Sequence, residues 1–465
     1  MLPDDVLLEI FDFYLRKIFR IEEWKTLAYV CRRWKSVVLQ SPRRLNLRLL
    51  CTSKTPVKNI LDLWPPLPFV IQDSYPNFTS SADNIITALE HNDRVCQIDL
   101  NWCTNSQLGY VTAAMQKPFP ELTYLHLGYG GGLESQILPA SFLGGTAPRL
   151  QSLFLHRIPF PGLPKLLLSA THLVDLNLSN IPCSGYMPAE AMATSLSALT
   201  GLKYLRLRFQ YPRPRPALES LRSPPPPLTR SILPSLTLIK FKGASEYLEK
   251  ILAWIDAPRL LQMFITFFNQ TIFDTPQLFQ FISRRPTLRA PEMGHIAFHS
   301  EAIIFKFPSR TSDYVILTME IPCTVSEWQL SSLEQVCTSS LPPVSTLEDL
   351  YIFENRRHPL HWQGDIENML WLEFLHPFVA VKNLYLCKEF VPRIAPTLQE
   401  LVGGGTAEVL PTLENIFLEG FQPSGSLHEG IEKFISARRL TTHPVAVSRW
   451  DRDSKQESRW EIFVS

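Results

Sequence analysis

Catalysis needs nucleophiles, acids and bases or metal ligands at workable spacing, and this sequence offers few such groupings. Gly128-Tyr-Gly-Gly-Gly132 is glycine-rich and follows a predicted strand. It lacks both the Lys-Ser/Thr of a phosphate-binding loop and the G-x-G-x-x-G spacing of a dinucleotide site, so a flexible loop is expected there. Gly403-Gly-Gly405 reads the same way. His295 and His299 are four apart, as paired metal ligands are on a helix, but His-Ile-Ala-Phe-His alternates like a strand and has no acidic base between the two rings. His358 and His361 flank a proline, His428-Glu429 has no second histidine to complete it, and no G-x-S-x-G elbow occurs. The eight cysteines (Cys31, Cys51, Cys96, Cys103, Cys183, Cys323, Cys337 and Cys387) are scattered, without a C-x-x-C pair. Several lie in apolar runs, which predicts buried free thiols in a reducing compartment. The expectation is a non-enzymatic protein without metal or cofactor.

Composition agrees with a recognition protein. Apolar residues make up 45% and charged residues 19% of 465, an ordinary globular balance. Lys+Arg is 45 against 44 Asp+Glu, so no global field draws the chain toward nucleic acid or acidic lipid. Thirty-nine prolines against 19 glycines break regular elements often, as suits many short strands and helices. No apolar stretch approaches the ~20 residues of a membrane span. Met1-Leu-Pro-Asp-Asp is not a basic leader start, so an intracellular protein, cytoplasmic or nuclear, is expected.

The elements that would position a binding surface begin at the N-terminus. In residues 4–20, Leu7, Ile10, Phe11, Tyr14 and Ile18 recur at helical spacing, with Asp4 and Asp5 favouring the helix start. A second helical stretch over 22–39 carries Trp24, Leu27, Ala28, Cys31, Trp34 and Val38 on one stripe and ends at Ser41-Pro42. Two such helices bury little alone. Their stripes must dock on the rest of the chain, as a cap, or on a partner. Ten basic residues fall within 16–48 against Glu22 and Glu23; a solvated helix face accounts for them more simply than a nucleic-acid footprint.

Leu2-Pro3, Leu7, Ile10-Phe11 and then Val30-Cys31-Arg-Arg-Trp34 resemble the F-box motif, L-P-x-E/D-x-L-x-x-I-F followed by V-C-x-x-W. The resemblance implies docking on the Skp-type adaptor of a cullin–RING ubiquitin ligase, with Leu2, Pro3, Ile10, Phe11, Leu27, Val30, Cys31 and Trp34 contacting or shaping the interface. Apolar anchors that include a tryptophan suit such a role.

From about residue 95 an L-x-x-L-x-L triplet recurs, at Val95-Ile98-Leu100, Leu122-Leu125-Leu127, Leu150-Leu153-Leu155, Leu173-Leu176-Leu178 and Leu202-Leu205-Leu207. Weaker copies follow at Leu236, Leu260, Leu347, Val381 and Leu413. The spacing lies at the edge of the leucine-rich-repeat range. Each unit predicts a short strand, opened in several copies by Pro-x-Leu, and a return segment, expected as helix, and can bury its apolar face only by stacking. A generic α/β domain with parallel strands shares the pattern. Residues 286–340 show no clean copy; Phe298, Ile303–Phe307 and Tyr314–Ile321 are expected as strands of a two-stranded excursion. Pro212 to Pro234 predicts a stiff polyproline-leaning loop, with a docking site for a proline-reading domain as the alternative. The C-terminal third, through Trp371-Leu-Glu-Phe-Leu, Val381-Lys-Asn-Leu-Tyr-Leu, Ile394-Ala-Pro-Thr-Leu-Gln-Glu-Leu-Val402, Leu410-Pro-Thr-Leu-Glu-Asn and Ala437 to Ser448, is similar to the F-box/leucine-rich-repeat proteins abundant in mushroom-forming fungi.

The expected architecture is mixed α/β. An all-α F-box-like segment (1–47) precedes a linker and cap (48–94), an irregular leucine-rich-repeat solenoid with a curved parallel sheet (95–447, Pro-rich insertion 211–234), and a tail (448–465). Residues flanking the last inward Leu of each strand would face outward on the concave side. Phe154, His156, Arg206, Arg208, Lys240, Lys242, Phe264, Tyr351 and Tyr385 are the candidate target-binding residues, and the central cations predict an acidic or phosphorylated protein target. The function expected is substrate recognition in a Skp–cullin–F-box ligase. A ligase-independent scaffold is the alternative, and a nucleic-acid binder a third reading.

Overall fold

Each copy of the triplet from Leu122 onward does two things. Its first member closes a turn by donating its N–H to the carbonyl three residues back: Leu122 to Phe119 at 3.2 Å, Leu150 to Ala147 at 3.2 Å, Leu173 to Ala170 at 3.0 Å, Leu260 to Ala257 at 3.1 Å and Leu413 to Leu410 at 3.2 Å. Its other two members lie two apart in a strand and so point to one face, where all are buried. The carbonyl of the residue after the turn then accepts two N–H groups from the next strand, as Thr123 does from Gln151 and Ser152 and Lys382 does from Glu414 and Asn415. The turn therefore fixes the register of the ladder that follows.

The computed structural model describes residues 2–16, 23–40, 48–54, 57–58, 67–73, 83–131, 135–212, 230–269, 273–285, 288, 291–308, 315–323, 326–339, 342–355, 368–400, 409–420, 428–439 and 444–451. Residues 213–229, Tyr314, His358, His361, Gly403–Gly405 and 452–465, named above, lie outside them. The chain forms two compact units, Met1–Ser223 with Ser231–Leu236, and Pro224–Arg230 with Thr237–Ser465. Both are mixed α/β with mostly parallel sheets. Among the described residues no helix is long and apolar enough to cross a membrane.

The first unit opens with α1 (Asp4–Arg16), α2 (Glu23–Val30) and α3 (Arg32–Gln40). The stretch expected as one helix over 22–39 is thus two. The break falls at Cys31, whose carbonyl receives the Lys35 N–H at 3.0 Å and whose Sγ receives the Trp34 N–H at 3.4 Å, so it caps the start of α3. Then β1 (Leu49–Cys51), β2 (Phe69–Asp73), β3 (Val95–Cys103), β4 (Tyr124–Tyr129), β5 (Ser152–His156), β6 (Asp175–Ile181) and β7 (Tyr204–Phe209) pair in chain order, each parallel to the next. β1 and β2 join the ladder ahead of residue 95, within the segment expected as linker and cap of the repeats. Their sequences lack the triplet, which is why the pattern missed them. β8 (Ser231–Ile232) is a two-residue strand. The return segments include helices Asn105–Ala114, Leu163–Leu167 and Ala189–Ser197. The first starts on a reciprocal cap, with the Thr104 hydroxyl accepting from the Gln107 N–H while Gln107 Oε1 accepts the Thr104 N–H at 2.9 Å.

In the second unit β9 (Leu238–Gly243), β11 (Gln262–Phe267), β14 (Val315–Pro322), β13 (Ala302–Pro308), β12 (Met293–Phe298), β15 (Asp349–Glu354), β16 (Asn383–Leu386), β17 (Asn415–Glu419) and β18 (Ala446–Trp450) lie side by side in that order; β10 (Ile255–Asp256) is a two-residue strand. The irregular region holds three strands. β12/β13 and β13/β14 are antiparallel, while β14 and β12 pair parallel with β11 and β15. The meander sits within the sheet, so the two-stranded excursion is corrected to a three-stranded insert. β18 runs past the expected end of the repeats at residue 447.

Two substitutions test the packing. Leu176, fully buried in β6, is the second member of its triplet; Leu176→Ala is expected to lower unfolding free energy by about 2–5 kcal/mol. A Cβ on Gly430 would stand 2.7 Å from the Ala395 carbonyl oxygen, where the helices Val391–Glu400 and Glu429–Arg439 meet. Gly430→Ala is expected to cost about 1–3 kcal/mol. Urea denaturation reads both, and unchanged midpoints would refute the packing described.

Candidate functional site

α1 is apolar on two sides. Leu7, Leu8 and Phe11 turn inward and are buried, as are Leu27 and Ala28 of α2 and Val37 and Val38 of α3. The Phe11 ring meets the half-buried Trp34 ring edge-on, with centroids 4.8 Å apart. The other side of α1 presents Val6, Ile10 (47% exposed), Phe13 and Tyr14, in line with Leu2, at the three- and four-residue spacing of one helix face. Tyr29 (75% exposed) and Val30 stand open at the end of α2. Of the eight residues assigned to the adaptor interface, Leu2, Pro3, Ile10, Val30 and Cys31 lie outside, Trp34 is half-buried, and Phe11 and Leu27 are interior. These last two shape the surface without touching a partner. Exposed Cys31 also departs from the expectation of buried thiols. Val6, Phe13 and Tyr29 were not singled out. The signal for the first two was α1 itself, too apolar for a single stripe. Arg33 ties the entry down, donating to Asp4 Oδ1 at 2.6 Å and to the Leu2 carbonyl at 2.5 Å.

On the outer face of the first unit the strands align the candidates in rows. Asp99, His126, Phe154, Asn177 and Arg206 are register partners, and Gly128, His156 and Ser179 form the next row. The first row pairs off its charges. His126 Nδ1 lies 3.1 Å from Asp99 Oδ1, and Arg206 Nη1 lies 2.7 Å from Asp175 Oδ1. Arg206 thus arrives with a carboxylate already bound. The second row carries Arg208, opposite the bulged pair Ser179 and Asn180. His156 is pushed below its ordinary pKa by burial and then by the positive charges of Arg157, His126 and Arg208.

The rim of this face is conformationally costly. Trp102, Arg157 and Asn180 follow register-equivalent positions and all have positive φ, of 64°, 57° and 53°, a region bulky side chains rarely enter. In β3 and β6 the register shifts there, so that two residues oppose one. Of the glycine run, Gly128 lies in β4, Gly130 and Gly131 mark a close approach, and Gly132 lies outside the described residues. A Cβ on Gly130 would stand 3.0 Å from the Trp102 ring, and one on Gly131 would collide with the Tyr129 hydroxyl. Trp102 remains half exposed above these glycines.

In the second unit the corresponding row reads Lys240, Phe264, Thr318, Lys306, His295, Tyr351, Tyr385, Phe417 and Ser448. Lys240 Nζ lies 5.0 Å from the Phe264 ring centroid. Lys242 aligns with Thr266, whose hydroxyl donates to Glu320 at 3.0 Å. Tyr351, Tyr385 and Phe417 stack in a ladder at 4.0 and 4.5 Å, and Trp450 stands edge-on 5.7 Å from both tyrosines. Beside them Asn415 donates to Asn383, and Asn383 to Asp349. The middle of the row is not accessible. His295 and Lys306 are 5% and 4% exposed, and Phe353, expected outward, is buried with them. Burial, then Lys306, drives the His295 pKa well down; burial brings the Lys306 pKa to about 8 against an opposing pull from Glu320.

The other chemical candidates resolve into structure. His295 and His299 are four strand residues apart, about 13 Å, too far to share an ion. Cys387 approaches Glu389 and Glu419, their ligand atoms all within 4.8 Å, and burial pushes the Cys387 thiol up to about 12. Cys51 and Cys103 are likewise raised, to about 11 and about 12. No family model and no curated protein matches this chain.

Lys306 gives a pH test. Its folded pKa lies below the unfolded value of 10.5. Between about pH 8 and 10.5 the unfolded state therefore binds more protons at this site, and its contribution to stability rises with pH. Wild type is expected to gain on Lys306→Met across that window, by at most about 1.4 kcal/mol per pH unit. Urea unfolding at pH 7.5 and 9.5 reads the difference, and parallel profiles would show Lys306 to be solvated.

Proposed function

We propose that the chain is the substrate-recognition subunit of a Skp–cullin–F-box ubiquitin ligase. The reading joins the F-box-like residues at 2–34 to one observation: α1 keeps a second apolar face, through Leu2, Val6, Ile10 and Phe13, outside its own helical core. A helix that has already buried Leu7, Leu8 and Phe11 does not need that face to fold, and apolar anchors of this kind dominate protein interfaces. In this reading the chain performs no covalent chemistry. It holds a target on the outer face of its repeats and raises the target's effective concentration near a charged conjugating enzyme. Phe154, His156, Arg206 and Arg208 in the first unit, and Lys240, Lys242, Phe264, Tyr351 and Tyr385 in the second, are half-buried candidates for such contacts. The ligase-independent scaffold is the outcome that remains if adaptor docking fails.

The test is capture of the purified full chain by a recombinant Skp-type adaptor. Wild type is expected to bind. Ile10→Asp is expected to weaken capture at least about tenfold while changing stability by no more than about 0.5 kcal/mol, because the site is exposed. Phe11→Ala should lose capture together with about 3–5 kcal/mol of stability. Absence of wild-type capture, or capture indifferent to Ile10→Asp, refutes the proposal.

A further inference from the structure

The two outer rows of the first unit differ in how their charges are compensated. In the row of Asp99, His126 and Arg206, the imidazole and the guanidinium each have a carboxylate, at 3.1 and 2.7 Å. The next row, Gly128, His156, Ser179 and Arg208, contains no acidic residue. Arg157 and Arg208 both act on His156 there. Among the described residues Arg208 has no ion pair. Arg157 places Nη1 3.4 Å from the Gly131 carbonyl, and its Nε is buried without a hydrogen-bond partner among the described residues. Between these groups stands Gly128, the register partner of His156, which carries no side chain and has the Asn101 side-chain oxygen 3.3 Å from where a Cβ would be; Ser179 lies on the other side of His156 in the row, its hydroxyl donating to Asn177 Oδ1 at 3.3 Å. Two bulges and three left-handed residues hold the rim at this level, and strain of this kind persists where a site is built.

We propose that Arg208, Arg157 and His156, in and beside the row of Gly128 and Ser179, bind an anionic side-chain group, carboxylate or phosphoryl, of an extended acidic peptide. The inference rests on the reading of the outer face as the target surface, and it moves the anchor from Arg206, which is already paired, to the adjacent row. Arginine donates in a planar fork that matches either anion. A row without acids attracts an acidic segment and rejects a basic one. Trp102 stands at the edge of the same level, where it would lie against the peptide's neighbouring side chain.

The experiment uses the full chain and three fluorescein-labelled decapeptides, alternating glycine with glutamate, phosphoserine or lysine, in fluorescence anisotropy at low ionic strength. The glutamate or phosphoserine peptide is expected to bind about tenfold or more tightly than the lysine peptide. Preference for phosphoserine assigns the phosphoryl group, and equal binding of the two assigns the carboxylate. Arg208→Gln is expected to weaken binding about five- to tenfold, Arg208→Lys less, and Lys165→Gln on a return helix by less than about twofold. Circular dichroism melts confirm that each variant is folded. The proposal is overturned if the lysine peptide binds equally, if folded Arg208→Gln binds like wild type, or if an oligothymidylate of ten residues binds more tightly than either acidic peptide. Adaptor capture, measured on the same preparations, is expected to be unaffected by Arg208→Gln. Failure here with capture intact therefore overturns the anion site alone, whereas failure of wild-type capture overturns the ligase reading.

Discussion

The turn that opens each repeat strand from Leu122 onward is the constraint on which the rest depends. Its closing residue is at once a hydrogen-bond donor to the carbonyl three back and a buried apolar side chain, as at Leu150, Leu173 and Leu413. The carbonyl one residue on then receives paired N–H groups from the following strand. A parallel ladder has no hairpin to set its register, and a slip by one residue would reverse every side chain. Here the register is set at the entry of each strand, and apolar burial keeps it there. The outer rows are a consequence: once Leu153 and Leu155 are inside, Phe154 and His156 can only be outside.

That ladder leaves function to residues it does not use, and the two units use them differently. In the first, one row has its histidine and arginine each against a carboxylate, and its neighbour, which carries Arg208, contains no acidic residue. In the second, the row passes from Lys240 and Phe264 through a buried stretch at Lys306 and His295 to a stacked aromatic ladder, whose tyrosines are met by Trp450 from the last strand. Burying a lysine and a histidine side by side is costly, and the lowered pKa of each is how that cost is expressed.

The strands were legible wherever the triplet was intact, because a period of two with turn residues before it leaves little alternative. They were illegible at Leu49–Cys51 and Phe69–Asp73, where short apolar runs carry no period, and the three-stranded insert was read correctly as strands but not as part of the sheet. Site residues followed the same rule. Alternation assigned Phe154, His156, Tyr351 and Tyr385 outward, but no pattern announces that Asp175 would hold Arg206, since that pair spans neighbouring strands. The glycine run misled for a physical reason. Absent side chains read as flexibility in sequence, whereas here they admit Trp102 and the Tyr129 ring.

The N-terminal helices show why a motif and an exposure pattern carry different information. Phe11 and Trp34 satisfy the F-box-like spacing because they pack on each other across α1 and α3, so that part of the motif reports a small core. Leu2, Ile10 and Val30 satisfy the same motif from the outside. A hairpin that served only as a cap would need the first set and would tend to replace the second with polar residues, since an exposed apolar stripe contributes nothing to folding and invites association. Arg33, reaching from α3 to the Leu2 carbonyl and the Asp4 carboxylate, sharpens the distinction. An exposed ion pair adds little stability, but this one fixes the entry of the chain into α1 and with it the position of Leu2 ahead of the outward stripe.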